Sequence, residues 1–260
     1  MNKIAIIGGG NLGSAIANGL IKSQYLAPEN ISITRRNLLP LQQLKSLGVQ
    51  VTSDNQGAID NADIVILAVK PYQIKEILSA ITFKNNQVVI SVVTGVWLKD
   101  LQEWINEKPI LFRAMPNTAI GIQQSMTCIC SVPGNVKHLD VVDEIFSRLG
   151  RVIFIEETLM DAATVLGACG TAFAMRYIRA SIQGGIQIGF SAAQASFIVA
   201  QTVLGAADLL LTNKNHPEFE IDKVTTPKGC TIAGLNELEH KGFSSALIKG
   251  LVTSYEKIIK

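Results

Sequence analysis

The sequence predicts a doubly wound α/β sheet domain followed by an all-helical domain, and three observations carry that expectation. Short β-branched segments alternate with helical patterns up to about residue 156, the order that a parallel sheet with crossover helices needs. Several of these segments are continuous apolar runs, such as Ile64-Val65-Ile66-Leu67-Ala68-Val69, which suits strands buried on both faces. Beyond about residue 157 strand signals stop and the chain reads as helix to its end. The expected domains are residues 1–156 and 157–260, joined without a flexible linker.

Taken in order, strands are expected at 3–7, 30–34, 49–52, 64–69, 87–93, 110–114, 126–131 and 151–155. Helical patterns fill 11–24, 37–47, 72–80 and 97–106. Another covers 136–149, where Val141, Val142, Ile145, Phe146 and Leu149 recur at helical spacing. In the second half, 159–189 reads as one long helix crowded with small residues, among them Gly167, Gly170, Gly184 and Gly185. Each interior glycine costs a helix about 1 kcal/mol, so the crowding requires another backbone at close range, from a partner helix or a ligand. If Gly185 lies at a close helix contact, Gly185→Leu is expected to split or misfold a dimer. A helix at 191–212 opens on Ser191 as N-cap. Asn213 to Glu218 is polar, contains Pro217 and reads as a loop. Thr226-Pro227-Lys228-Gly229 reads as a turn before a helix from Thr231 to His240, and Ser244 opens a last helix running to Lys260.

Composition removes several function classes. A chain of 260 residues that is 48% hydrophobic and 17% charged has ample apolar side chain to bury, which excludes disorder. Its 23 Lys+Arg against 21 Asp+Glu leave a net charge of +2, with no block of five like charges, so no nucleic-acid partner is expected. The N-terminal segment enters a strand directly, and no leader is expected. No apolar run approaches about 18 uninterrupted residues. The most apolar stretch, Ser191 to Leu211, is broken by Gln194, Gln201 and Asp208, so no membrane partner is expected either. Cys128, Cys130, Cys169 and Cys230 form no CxxC pair, and His138, His216 and His240 lack ligand spacing. No metal is expected, and the cysteines read as free thiols of a cytoplasmic protein.

The chemistry begins at Gly8-Gly9-Gly10-Asn11-Leu12-Gly13, which places glycines at the G-x-G-x-x-G positions between a strand and a helix. Gly8 permits the tight turn, Gly10 lets backbone approach a pyrophosphate, and Gly13 lets the helix pack on the strand. The helix start, at Asn11 and Leu12, then turns free N–H groups and a partial positive charge toward the anion. This is the fingerprint of a Rossmann dinucleotide-binding domain. An NAD-binding chain carries Asp or Glu about 20 residues on, to hold the ribose. Here the second strand ends in Arg35-Arg36, and guanidinium matches a 2′-phosphate. NADP(H) is therefore the expected cofactor and NAD(H) the second choice.

At Val69-Lys70-Pro71, Arg113-Ala114-Met115-Pro116-Asn117-Thr118 and Thr225 to Leu235 (TTPKGCTIAGL), the chain resembles the pyrroline-5-carboxylate reductase family. The resemblance covers essentially the whole chain, in order and spacing. It implies a Rossmann domain followed by a helical dimerisation domain, a homodimer with an assembly of dimers left open, and a cyclic imino acid as substrate. It places Asn55 near the adenosine, Ala68, Val69, Lys70 and Pro71 along the cofactor, and Met115 and Asn117 at the nicotinamide end. It gives the turn at Thr226, Gly229, Cys230 and Thr231 to the substrate, with Thr231 the catalytic candidate. Backbone N–H groups around Gly229–Thr231 would hold the carboxylate while the Thr231 hydroxyl meets the ring nitrogen. Read from its position alone, Thr231 is equally an N-cap that serves only its own helix.

The chain departs from the family pattern at two places. Ala168-Cys169-Gly170-Thr171-Ala172 stands where the family has G-S-G-P-A, and Thr226, Lys228 and Cys230 replace residues of its C-terminal signature. Lys228 reads either as a change in substrate handling or as a solvent-facing turn position free of φ > 0 strain. Two other functions stay open. A hydroxyacid dehydrogenase would show a Lys or His in the long helix after residue 160, where this chain offers Arg176 and Arg179, poor proton donors. The other is a non-catalytic NADPH-binding relative.

Overall fold

The computed structural model describes residues 3–106, 108–132 and 135–259; Met1, Asn2 and Lys260, the outer ends of the two expected domains, lie outside the described residues. In chain order the first half runs β1 (Ile4–Ile7), α1 (Asn11–Lys22), β2 (Ile31–Thr34), α2 (Gln42–Ser46), β3 (Gln50–Thr52), α3 (Asn55–Asp60) and β4 (Ile64–Leu67). It continues with α4 (Pro71–Ser79), β5 (Val88–Ser91), α5 (Leu98–Trp104), β6 (Ile110–Met115), β7 (Ser125–Ser131), α6 (Leu139–Ser147) and β8 (Gly150–Phe154). These strands form one sheet in the order β3-β2-β1-β4-β5-β6-β7-β8. Pairing is parallel except between β6 and β7.

The sequence explains this sheet simply. In β1, β4 and β5 every residue is buried, so each strand is apolar on both faces. Ile4 and Ile6 pack into one core with Ile16, Ala17 and Leu20 of α1, while Ala5 and Ile7 pack into the other with Ile74 and Leu78 of α4. Strand order reverses between β1 and β4, and the carboxyl ends of β1, β2, β3, β4, β5 and β6 share one rim. In a doubly wound sheet a ligand crevice opens at that reversal.

The second half holds α7 (Met160–Ala163), a π-helical segment at Thr164–Cys169, α8 (Gly170–Gln187), α9 (Ala192–Asn213), α10 (Pro217–Val224), α11 (Cys230–His240) and α12 (Phe243–Ile258). The chain divides into two compact units. One runs through Cys169 and resumes at Lys257; the other is Gly170–Glu256. Residues 157–169 therefore pack with the sheet, and Met160 is fully buried in its core.

Four departures from the sequence expectations have physical causes. The segment 37–47 is a 3-10 turn at Leu39–Leu41 followed by α2, because Pro40 has no N–H to give a continuous helix. Helix α3 was not expected; it is six residues long, too short for a period, and is started by Asp54, which accepts the Gly57 N–H at 3.0 Å. The expected loop at 213–218 gives way to α10 from Pro217, where the missing N–H is harmless at a first helical position. The long helix 159–189 is interrupted by the π segment. Ser191 caps α9 as expected, in a reciprocal box with Gln194.

Gly185 lies at a close helix contact. A Cβ there would meet Ala195 of α9 at 3.0 Å, so its smallness serves contact within the chain. At Gly184 and Gly205 a Cβ would meet nothing within 4 Å. Helix α9 leaves Phe197 and Leu204 exposed. By length and composition alone, Glu157–Gln187 and Ala192–Asn213 are apolar enough to cross a membrane, with hydropathies of 1.3 and 1.6. Thus apolar character sufficient for a span does arise without an uninterrupted apolar run.

Gly19 shows how tightly the first unit is packed. A Cβ there would collide with the Ile120 carbonyl and lie 2.9 Å from Leu149. Gly19→Ala gains about 1 kcal/mol of helix propensity, but overpacking costs about 1–3 kcal/mol. A net loss of up to about 2 kcal/mol is expected, read as a lower denaturant midpoint at unchanged m-value.

Candidate functional site

The glycine turn between β1 and α1 is built by close approach. Gly8 has φ +112°, and a Cβ on it would lie 2.5 Å from the Ala68 carbonyl oxygen. A Cβ on Gly13 would strike the Gly8 carbonyl oxygen, which is why α1 sits so near the strand end. Gly10 is different, because a Cβ there would enter open space. The first two glycine positions named are thus demanded by the fold itself, whereas Gly10 keeps one side of the turn clear. Gly10 is the N-cap of α1, with no side-chain cap bond and no acid in the first turn. Asn11 is exposed and Leu12 half-buried at that helix start. Its first N–H groups and positive end are thus available to an anion.

The rim around this turn carries the other cofactor candidates. Arg35 is half-buried; its Nη1 donates to the Gly9 carbonyl at 2.7 Å, and its N–H donates to Thr52 O at 3.1 Å. Arg36 is exposed beside it. The two arginines therefore differ: one braces the glycine turn and the other faces outward. Asn55 is half-buried at the first position of α3. Ala68 continues β4, its N–H donating to Ile7 O at 2.8 Å, and Val69 follows it half-buried. Lys70 is exposed and is the N-cap of α4, with Pro71 at the first helical position.

At the end of β6, Met115 is buried and Asn117 is tied on three sides. The Asn117 N–H donates to Ser125 Oγ at 3.1 Å, its Oδ1 accepts from Ala119 N at 3.0 Å, and its Nδ2 donates to Gly167 O at 3.2 Å. Gly167 lies in the π segment, a site that sequence reasoning missed, since a widened turn leaves no periodic signal. Two residues earlier Arg113 is fully buried, 2.8 Å from Glu157 and 3.9 Å from Asp161. Cys130 lies opposite Arg113 in the sheet; burial pushes its thiol up to about 11, with the Arg113 charge opposing. It stays protonated at neutral pH and is no nucleophile. Among the described residues no His, Cys, Asp and Glu cluster suits a metal.

The substrate candidates lie in the other unit. Thr226 accepts the Gly229 N–H on its carbonyl at 2.9 Å, closing a turn over Pro227 and Lys228. Gly229 is the N-cap of α11 without a side-chain cap bond, and a Cβ there would sit 2.6 Å from Thr226 Oγ1. Three expectations change. The helix starts at Cys230, so Thr231 is its second residue and not its N-cap. The Gly229 N–H is used by Thr226, which leaves the amides of Cys230 and Thr231 to meet an anion. Lys228 has φ +60°, so the position is not free of strain. Both Cys230 and Thr231 are exposed.

Comparison with known proteins follows this geometry. A family model described as pyrroline-5-carboxylate reductase dimerisation matches residues 157–260, and one described as NADP oxidoreductase, coenzyme F420-dependent, matches residues 3–95. Pyrroline-5-carboxylate reductase 1 of Dictyostelium discoideum is 47% identical over 98% of this chain, which spans about half, 49%, of that relative's length. Pyrroline-5-carboxylate reductase 2 of the same organism is 44% identical over 99% of this chain and 92% of its own length. The crystal structure of Plasmodium falciparum pyrroline carboxylate reductase with NADP bound is similar with a TM-score of 0.91 at 26% identity, covering 98% of this chain and 96% of that one.

The lysine at φ +60° yields a direct test. A non-glycine residue held there carries about 1 kcal/mol or more of backbone strain. Lys228→Gly removes that strain and adds some entropy to the unfolded chain. The expected net effect is a gain of up to about 1 kcal/mol, read as a raised unfolding midpoint.

Proposed function

The chain belongs to the pyrroline-5-carboxylate reductase family, and from that premise we propose that it reduces 1-pyrroline-5-carboxylate to L-proline with NADPH, the last step of proline synthesis. The observation that carries the reading is the glycine turn at the sheet's reversal point, closed by contact at Gly8 and open at Gly10, beside two arginines where an NAD-binding chain has an acid.

These residues fit the dinucleotide. The backbone at Gly8, Gly10, Asn11 and Leu12 would hold the pyrophosphate, and Arg35 and Arg36 the 2′-phosphate. Asn55 would sit by the adenosine, Ala68 to Pro71 along the cofactor, and Met115 and Asn117 at the nicotinamide end. When bound, NADPH supplies the hydride for the imine carbon. The protein's own work is to bind and orient. The amides of Cys230 and Thr231, at the positive end of α11, hold the substrate carboxylate without a dedicated arginine. Gly229 and Thr226 shape the turn that aims them. The Thr231 hydroxyl shares a hydrogen bond with the ring nitrogen and steadies its proton. Its place as second residue of α11, with Gly229 as the cap, supports this role over a capping one.

The working division stays at 156/157, supported by the dimerisation match that begins at residue 157. The helical half forms a homodimer, the unit of any larger assembly. The exposed apolar residues of α8 and α9 face the twin subunit and not lipid; Arg176, Arg179, Gln194, Gln201 and Asp208 on the same helices support that reading. The protein works in the cytoplasm, in keeping with free thiols at Cys128, Cys130, Cys169 and Cys230.

The decisive experiment mixes the purified protein with NADPH and the cyclic imino acid and measures proline. No proline above background removes the proposal. For cofactor choice, replacing Arg35 and Arg36 by alanine should raise KM for NADPH far more than for NADH; equal use of both cofactors by the wild type contradicts the arginine role. Thr231→Ala should lower kcat/KM for the imine by roughly 10–100-fold, since a hydrogen bond to a charged group is worth about 1.5–3 kcal/mol. Thr231→Ser should keep most activity, Thr231→Val should match alanine, and NADPH affinity should hold in all three.

A further inference from the structure

The cofactor and substrate roles leave Arg113 unused, yet it is the largest fully buried side chain among the described residues. It projects from β6 on the face shared by Leu111 and Met115, into an otherwise apolar core. A guanidinium there is tolerated only with charged partners close by. Those come from the segment just after β8. Glu157 Oε1 accepts from Arg113 Nη1 at 2.8 Å and from the Leu98 N–H at 2.6 Å, and Asp161 lies 3.9 Å from Nη2. Glu157 thereby joins β6, the start of α5 and the entry to α7. The Trp97 ring covers the guanidinium at 5.7 Å.

A second tie joins the same two stretches of chain. Asn117, four residues past Arg113, donates to Gly167, six past Asp161. The first tie precedes the π segment Thr164–Cys169 and the second falls within it, at its fourth residue; its start is buried at Thr164 and Val165. Thr164 Oγ1 donates to Met160 O at 2.9 Å. A π turn carries one more residue than an α turn and so changes where each following carbonyl points. Its register is therefore sensitive to how the chain is held on its N-terminal side. A buried ion pair is weak evidence for stability, since apolar replacements of the same volume are often no worse. What this one supplies is a fixed position.

We propose that Arg113, Glu157 and Asp161 are positioning residues: by pinning residues 157–161 to β6 they hold the π segment in register, so that the Gly167 carbonyl receives Asn117 and fixes that side chain at the nicotinamide end. The proposal rests on the reading that Asn117 lines that end of the cofactor site.

The test uses the full-length protein and the variant Glu157→Gln, which keeps an acceptor for Leu98 N–H and removes the charge. Hydrogen exchange of the cofactor-free protein should show faster exchange confined to about 160–170, with β1 and α1 unchanged. Kinetically, kcat should fall about tenfold, while KM for NADPH stays within twofold, because a small misplacement at the reacting end costs rate before binding. In a cycle with Asn117→Ala the two losses should fail to add, since both act through one side chain. Should Glu157→Gln fold poorly, the combined set Arg113→Met, Glu157→Gln, Asp161→Asn removes all three charges and should give the same split. Unchanged exchange at 160–170, or full kcat with only a lower Tm, overturns the proposal. Additive losses in the cycle overturn it as well. If the wild type makes no proline, the assigned function fails alone, and the exchange measurement still decides whether the charges hold the π segment.

Discussion

Close contact between backbones at the end of β1 governs the first unit. Gly8 lies under the Ala68 carbonyl at the end of β4, and Gly13 brings α1 down onto Gly8. Neither position accepts a Cβ without moving backbone. These contacts fix where α1 begins, and the position of its positive end follows. The strands on either side obey the same spacing, with Ile7 level with Leu67 and with Thr34. The placing of the turn at the sheet's reversal therefore follows from packing at two glycines, and a Cβ at Gly10 would meet nothing within 4 Å.

The sheet was legible in the sequence because its strands are apolar on both faces. Segments such as 64–69 and 87–93 match β4 and β5 to within two residues at either end, since the frayed ends carry the same residue types as the paired centres. What was not legible depends on contacts between distant residues or on very short elements. Helix α3 has no room for a period, and only the Asp54 cap announces it. Arg113 meets Glu157 across 44 residues, and no local pattern foretells a charge pair at that range. In the candidate site, the glycine turn and the strand-end residues could be placed from the sequence. The distinction between Arg35 and Arg36 could not, because it depends on which guanidinium reaches the Gly9 carbonyl. The backbone of Lys228 was misread for a related reason: Pro227 fixes its own φ, but the turn decides the sign at the next residue.

The helical unit follows a different rule from the sheet. Its glycines at 184, 205, 234 and 250 have open space where a Cβ would go, and its large apolar residues are exposed along α9 and α12. Within a single chain these helices have little reason for such small residues, whose helix propensity is poor. A dimerisation domain, which the family match gives for this half, would have a use for them, since small residues allow the backbones of two copies to approach. The core of the sheet is complete within one chain, while that of this half would be completed by association.

The bond from Arg35 to the Gly9 carbonyl carries a thermodynamic consequence. A long side chain that must be immobilised on binding loses about 0.5–1.5 kcal/mol of rotamer freedom. Arg35 has already lost much of it, because the 2.7 Å bond to the turn restrains its guanidinium in the cofactor-free chain. Arg36, exposed, would keep its freedom until a phosphate binds, on the proposed reading that both arginines recognise one. Equal in charge, the two arginines would then be unequal in entropy: Arg35 would offer a preorganised donor, and Arg36 an adaptable one whose contribution is smaller for the same contact. On the same reading the bond would couple the glycine turn to the phosphate-recognising end, so a change that loosens one would be felt as lost affinity at the other.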